Sequence, residues 1–349
     1  MKVKELKKAL QRINKFVGKE VSTGYLDNGW LTVAKSKTDW ISVKIDLFKD
    51  AKGLIDFTDT LPIIVNSWPG DITIKAEMIG SDVKLTTPIG FAALIMIKAD
   101  AEPPKIVEID GFETSLGVLD VTADDMELLK KARLYCATEK EVRLHQGYMC
   151  ETRWASCVCL HEDQVAATNG NMLFFDDLVT GLSGKMLLRS EALDAFDSNP
   201  CRILCGDYDR VEIHNDDVVV GFKQPGFYPN WKSLVPTHFN TIVTVPYKAL
   251  LDVVKQTKGL GASYFKMIVH DGFISAHASN LDASMEYHVN ITEGVTVTGD
   301  GVHIGIGAAL LERMLKADKT DTVVIDIVAP DRPMVINGHS ILMPVIIAD

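Results

Sequence analysis

Segments about 115 to 130 residues apart carry the same succession of patterns three times, which confines the chain to an assembly of three similar units. Each unit opens with a short strand and an amphipathic helix. In the first, Val3, Leu6, Leu10, Ile13 and Val17 make an apolar stripe; VTADDMELLKKARLYCA carries the second helix and VPYKALLDVVKQT the third. Asp124, Asp125 and Glu127 precede Lys130, Lys131 and Arg133, the order that the helix dipole favours. A second helix is expected later in each unit, over TDTLPIIVNSW, RSEALDAFDS and GAALLERMLKA. A run of strands follows at once: DITIKAEMIGSDVKLTTPIGFAALIMI, CRILCGDYDRVEIHNDDVVVGFKQPGF and DTVVIDIVAPDRPMVINGHSILMPVII. Each run alternates β-branched and polar residues, is broken by Gly, Asp, Asn or Pro, and reads as a meander of three strands.

The expected class is therefore α+β, with two helices of each unit covering one face of an antiparallel sheet. The first two strand runs end at Pro103-Pro104 and Tyr228-Pro229 and enter polar linkers near 107–117 and 229–240. These set expected domains at 1–114, 115–239 and 240–349. If the sheets continue from unit to unit, the helices line one side of an arc and the first helix faces inward.

Composition narrows the function. A chain of 349 residues, 47% hydrophobic, can bury substantial cores, and it has neither a signal-peptide pattern nor an uninterrupted apolar stretch of membrane-spanning length. A soluble, cytoplasmic protein with no membrane partner is expected. Its six cysteines are too sparse for a secreted disulfide scaffold and read as reduced thiols. The net charge of −11 opposes general affinity for nucleic acid, yet Lys2, Lys4, Lys7, Lys8, Arg12, Lys15 and Lys19 crowd the first helix against only Glu5 and Glu20. An acidic body with one basic element suits contact with DNA on one restricted surface. A solvated helix face is the plainer reading of such a helix taken alone.

Three local motifs, in order on the threefold repeat, carry a resemblance to bacterial DNA polymerase sliding clamps. Val165-Ala166-Ala167-Thr168-Asn169-Gly170-Asn171-Met172-Leu173 resembles the family's V-A-T-D-G-H-R-L segment, and Tyr228-Pro229-Asn230-Trp231-Lys232-Ser233-Leu234-Val235-Pro236 resembles its F-P-D-Y-R-R-V-L-P segment. Ile341-Leu342-Met343-Pro344-Val345-Ile346 resembles the V-V-M-P-M-R ending. The resemblance implies three repeated clamp domains forming half of a ring, closed head to tail by a second copy around duplex DNA. The implied partners are double-stranded DNA read without sequence preference, a DNA polymerase, a clamp loader and the homodimer mate; no cofactor and no catalytic residue are implied. A hydrophobic cleft for partner peptides would comprise Thr168, Gly170, Asn171, Met172, Leu173, Pro229, Leu234, Ile341, Met343 and Pro344. DNA-facing candidates are Lys4, Lys7, Lys8, Arg12 and Lys15, then Lys130, Lys131 and Arg133, then Lys255 and Lys258.

This chain departs from the pattern with Asn169 for the usual Asp, Asn171 for His, Met172 for Arg and Ile346 for a basic residue; it also runs on through Ala348-Asp349, and its first unit is short between the helix and Asp56. The cleft should be greasier, with a different partner motif, as suits a clamp of phage or mobile-element origin.

Rival motifs are weaker. Val302-His303-Ile304-Gly305-Ile306-Gly307-Ala308-Ala309-Leu310, with Asp326 beyond, imitates a dinucleotide fingerprint, but Leu310 replaces its third glycine and the segment falls on the expected second helix. Cys157, Cys159 and His161 alternate on one strand face near Cys150, without zinc-finger spacing, and core packing is the better reading. No P-loop, zincin pair or nucleophile elbow is present, so an enzyme is not expected. A clamp-like protein that binds replication factors without encircling DNA is the alternative reading.

Overall fold

In a computed structural model of the chain, residues 1–18, 21–56, 61, 66–106, 108, 117–138, 140–142, 153–197, 199–280 and 283–347 are described. The first helix, α1 (Val3–Val17), starts where Glu5 accepts a bond from the Lys2 backbone N–H at 2.8 Å. It stops at Gly18, whose φ of +75° suits glycine and whose N–H donates to the Asn14 carbonyl. Val3, Leu6, Ala9, Leu10, Ile13, Phe16 and Val17 form its buried face, as the apolar stripe dictates.

The first repeat continues through β1 (Thr23–Asp27), β2 (Trp30–Ala34), β3 (Trp40–Lys44), β4 (Gly53–Asp56), β5 (Lys75–Ile79), β6 (Asp82–Thr86) and β7 (Ala92–Ile95). The second has β8 (Gly117–Val121), α2 (Ala123–Arg133), β9 (Cys157–His161), β10 (Gln164–Thr168), β11 (Met172–Asp177), β12 (Met186–Arg189), α3 (Ser190–Leu193), β13 (Cys201–Gly206), β14 (Arg210–His214) and β15 (Val218–Lys223). Thr122 and Asp125 cap α2 reciprocally. The third has β16 (Thr241–Pro246), α4 (Tyr247–Gly259), β17 (Tyr264–His270), β18 (Phe273–Ser279), β19 (Glu286–Ile291), β20 (Thr296–Gly299), β21 (His303–Gly307), α5 (Ala308–Ala317), β22 (Thr322–Ile327), β23 (Met334–Ile336) and β24 (Ser340–Leu342).

The three opening helices, the strands ahead of α2 and α4, and all three closing meanders therefore stand where the sequence puts them, whereas ahead of α1 Lys2 makes only an isolated bridge to Thr73 in place of the expected strand. The helix expected over RSEALDAFDS shrinks to the single turn of α3, because the chain after Leu193 closes through i→i−3 turns at Ala195 and Phe196. The helix expected over TDTLPIIVNSW lies largely outside the described residues, as do most of the first linker, Cys150 and the Ala348-Asp349 end.

Two compact units are present, Met1–Leu128 with Thr180–Gly226, and Leu129–Val179 with Phe227–Asp349. In the first, one antiparallel sheet runs β4-β1-β2-β3-β15-β14-β13-β8 and a small one runs β5-β6-β7. β3 joins β15 through Val43↔Val218 to Trp40↔Gly221, and the Trp40 ring lies so close over Gly221 that any side chain there would collide with it. α1 packs on β2, β3 and α3. In the second unit, one sheet runs β9-β10-β11-β24-β23-β22-β16-β20 and another β19-β18-β17-β21, with α4 and α5 packed together. Here β11 joins β24 through Met172↔Leu342, Leu173↔Ile341 and Phe174↔Ser340. Among the described residues no helix is long and apolar enough to cross a membrane.

Candidate partner-peptide cleft and basic helix face

Side chains alternate across β11, so Met172 and Phe174 face one side of the sheet and Leu173 and Phe175 the other. The first side is covered by the turn after α2: the Tyr135 ring sits 5.2 Å from that of Phe174, and its hydroxyl lies 2.8 Å from Ser340 Oγ. Burial pushes the Tyr135 phenol up to about 12. On the second side Leu173, Ile341 and Val335 form one cross-strand row. Trp231, from a 3-10 turn at Trp231–Leu234, stacks on Phe175 at 5.6 Å on that same face. Tyr228, wholly buried, donates to the Ala166 carbonyl and anchors the start of that segment. Pairing of β11 with β24 and the Trp231 stack thus bring the three motifs to one sheet face.

Exposure divides the ten expected cleft residues. Gly170 and Asn171 are exposed, Pro229 and Pro344 half-buried, and the large apolar groups open to solvent are Leu234 (49% exposed) and Met343 (37%). Thr168, Leu173 and Ile341 are buried beneath them, and Leu173 is 2% exposed. Met172 is also buried, but alternation turns it to the side covered by Tyr135 rather than to the cleft.

The lip is a polar turn. Thr168 Oγ1 donates to the Met172 carbonyl at 2.7 Å and accepts from the Gly170 N–H, while Gly170 takes a φ of +92° with open space around it. Asn169 is 4% exposed; its Oδ1 accepts from the N–H groups of Asn171 and Met172, both at 3.0 Å, and its Nδ2 donates to Glu141 at 3.1 Å. Arg313 of α5 pairs with Glu141 at 3.3 Å and donates to the Cys136 carbonyl. Although burial acts to raise it, bonds from Thr138, Arg313 and Asn169 hold the Glu141 carboxyl below its ordinary value. Met343 N–H donates to the Asn171 carbonyl at 2.9 Å, and Val345 bonds Gly305 of β21, where an added Cβ would lie 2.3 Å from the Val345 oxygen. The sequence singles out Asn169 only as a departure; Glu141 and Arg313 carry no local signal.

The basic candidates separate in the same way. Lys4, Lys7, Lys8 and Lys15 are exposed on α1, with Lys4 paired to Asp71 and Lys8 to Asp197. Arg12 is mostly buried against Asp197. On α2, Lys130 and Arg133 are half-buried, and Lys131 turns inward to Asp318 at 2.9 Å and His339 at 3.2 Å, over the Phe174 ring. Lys255 and Lys258 are exposed on α4 and paired with Asp252 and Glu312. Cys157 and Cys159 are fully buried on β9, and the imitation fingerprint is β21 leading into α5.

An apolar floor under two exposed anchors, with a polar lip, can hold a short linear peptide. No family model matches the sequence, and no curated protein matches it. Solved structures do. The DNA polymerase III beta subunit of Thermotoga maritima aligns with 18% identity and a TM-score of 0.76 over 100% of this chain and 99% of that one. A sliding clamp of Pseudomonas aeruginosa bound to griselimycin aligns with 14% identity, TM-score 0.76, over 99% and 98%. The Helicobacter pylori beta clamp bound to a DNA ligase peptide aligns with 16% identity, TM-score 0.75, over 99% of both chains. From end to end, the chain has the fold of the bacterial DNA polymerase III beta subunit, the sliding clamp.

Proposed function

We propose that this chain is a sliding clamp: a non-enzymatic processivity factor of the cytoplasm that encircles duplex DNA as a homodimer and tethers a DNA polymerase. Its clamp domains are 1–114, 115–239 and 240–349. The observation that carries the reading is a repeated strand junction. The third strand of one repeat's hairpin run pairs with the last strand of the following repeat, first as β3 with β15 and again as β11 with β24. The same logic leaves β19 of the last repeat and β7 of the first, each at the end of its sheet. A β19 edge on one chain and a β7 edge on a second then complete a head-to-tail ring by one rule of pairing. Leu94 (52% exposed) and Met96 (77%) lie on and beside β7, where such a joint would cover them.

Polymerase, clamp loader and other replication or repair proteins engage the cleft through Leu234, Met343, Pro229 and Pro344 over Leu173 and Ile341. The exposed lysines of α1 and α4 contact phosphates without reading bases. Pairing of Lys4, Lys8, Lys255 and Lys258 with carboxylates weakens each contact, so retention on DNA is topological rather than adhesive. Light scattering on the purified protein tests ring closure. The expected mass is twice that of the 38.4 kDa chain. A monomer at micromolar concentration would instead support the clamp-like protein that never closes on DNA.

A further inference from the structure

Asn169 is not one of the two exposed anchors, yet every bond its side chain makes bears on the lip of the cleft. Its single carbonyl oxygen holds two successive backbone N–H groups, those of Asn171 and Met172. Asn171 in turn presents the carbonyl that receives Met343 N–H. The remaining amide nitrogen donates to Glu141, which Thr138 and Arg313 hold from other sides. At 4% exposure, water does not supply a substitute for a missing partner.

An asparagine satisfies both demands at once, because it carries an acceptor and a donor on the same planar group. An aspartate would still offer an acceptor to the turn but would set a second carboxylate against Glu141, where the amide now lies at 3.1 Å, and the repulsion would draw that acceptor away from the two N–H groups. We infer that Asn169 is a positioning residue for the partner cleft, matched to Glu141, and that the two side chains together fix the 170–172 lip against Met343. The inference rests on the cleft reading above and names the pair that sets the geometry of that site.

The pairing has a signature that a merely structural residue lacks: exchange of donor and acceptor between the partners. Asn169→Asp should weaken binding of griselimycin roughly tenfold, within the range of couplings measured inside one hydrogen-bond network, and should speed hydrogen exchange at the Asn171 and Met172 amides. Adding Glu141→Gln returns a donor to the pair, so the double variant should recover both readouts to within about threefold of the unaltered protein. Unchanged exchange in N169D, or a double variant no better than N169D alone, would overturn the inference. If N169D does not fold, Glu141→Ala breaks the same bond from its acceptor side: faster exchange at the two amides supports the pairing, and unchanged exchange overturns it. If griselimycin fails to bind the unaltered protein, the cleft reading falls, and the exchange rates alone decide the role of Asn169.

Discussion

Leu173 and Met343 stand on the same sheet face and should fail in different ways when cut back to alanine. Leu173 is 2% exposed, opposed by Ile341 across the β11–β24 joint, and has no route to relax without moving that joint. Its truncation leaves a cavity and should cost about 2 to 5 kcal/mol of stability. Met343 is 37% exposed, held by its backbone to Asn171, and its side chain packs on one side only. Loss of that side chain should cost at most about 1 kcal/mol of stability, since much of its area is already in water. As an anchor for a bound peptide it should nonetheless cost about 1 to 3 kcal/mol of affinity, or roughly 5- to 150-fold in Kd. Urea denaturation and calorimetric titration with griselimycin, on both variants, separate the two effects. Equal destabilisation by the two changes, or unaltered affinity in Met343→Ala with the fold intact, would refute the assignment of floor and anchor.

Other outcomes follow from the same geometry. Gly305→Ala drives a Cβ into the Val345 carbonyl, so it should release the 343–347 segment from β21, read as faster hydrogen exchange at the Val345 amide that now donates to Gly305. Asp318 is half-buried, which acts to raise its pKa, but bonds from Asn337 and Lys131 outweigh this and depress it below 3.8. Its contribution to stability is therefore present above that value and disappears as pH falls through the depressed one. Asp318→Asn should lower Tm at neutral pH, and the gap to the unaltered protein should narrow in melts below pH 4, as in acid both forms are neutral at this position. Burial pushes the Cys201 thiol up to about 12 and that of Cys205 to about 11, so at pH 8 iodoacetamide should label neither in the folded protein, as read by peptide mass mapping. Charge reversal at Lys7 and Lys15 together should reduce the salt dependence of DNA binding by about one unit of log–log slope for each phosphate that a lysine no longer neutralises.

The threefold repeat was legible because its parts are local: an apolar stripe at helical spacing, a capping pair such as Thr122 and Asp125, and alternating runs broken by turn residues. The strand junctions were not, because β3 meets β15 across roughly 180 residues of chain and no local pattern records that pairing. The three motifs marked the right face of the second unit but not which side chains reach its surface. Met172 and Leu173 are adjacent apolar letters, and only the register of β11 sends one toward Tyr135 and the other toward the cleft. Basic residues misled for a similar reason. Lys131 reads as one more helix cation, yet its partners Asp318 and His339 lie far along the chain and draw it inward.

The central claim is that the protein holds DNA by enclosing it. The direct measurement is retention on plasmid after loading by a suitable clamp loader, with nicked circular and linearised DNA compared through a high-salt wash that screens phosphate contacts. Enclosure predicts that the protein stays on the circle, that cutting the circle releases it, and that linear DNA retains none. Equal retention on circular and linear DNA at that salt would contradict enclosure.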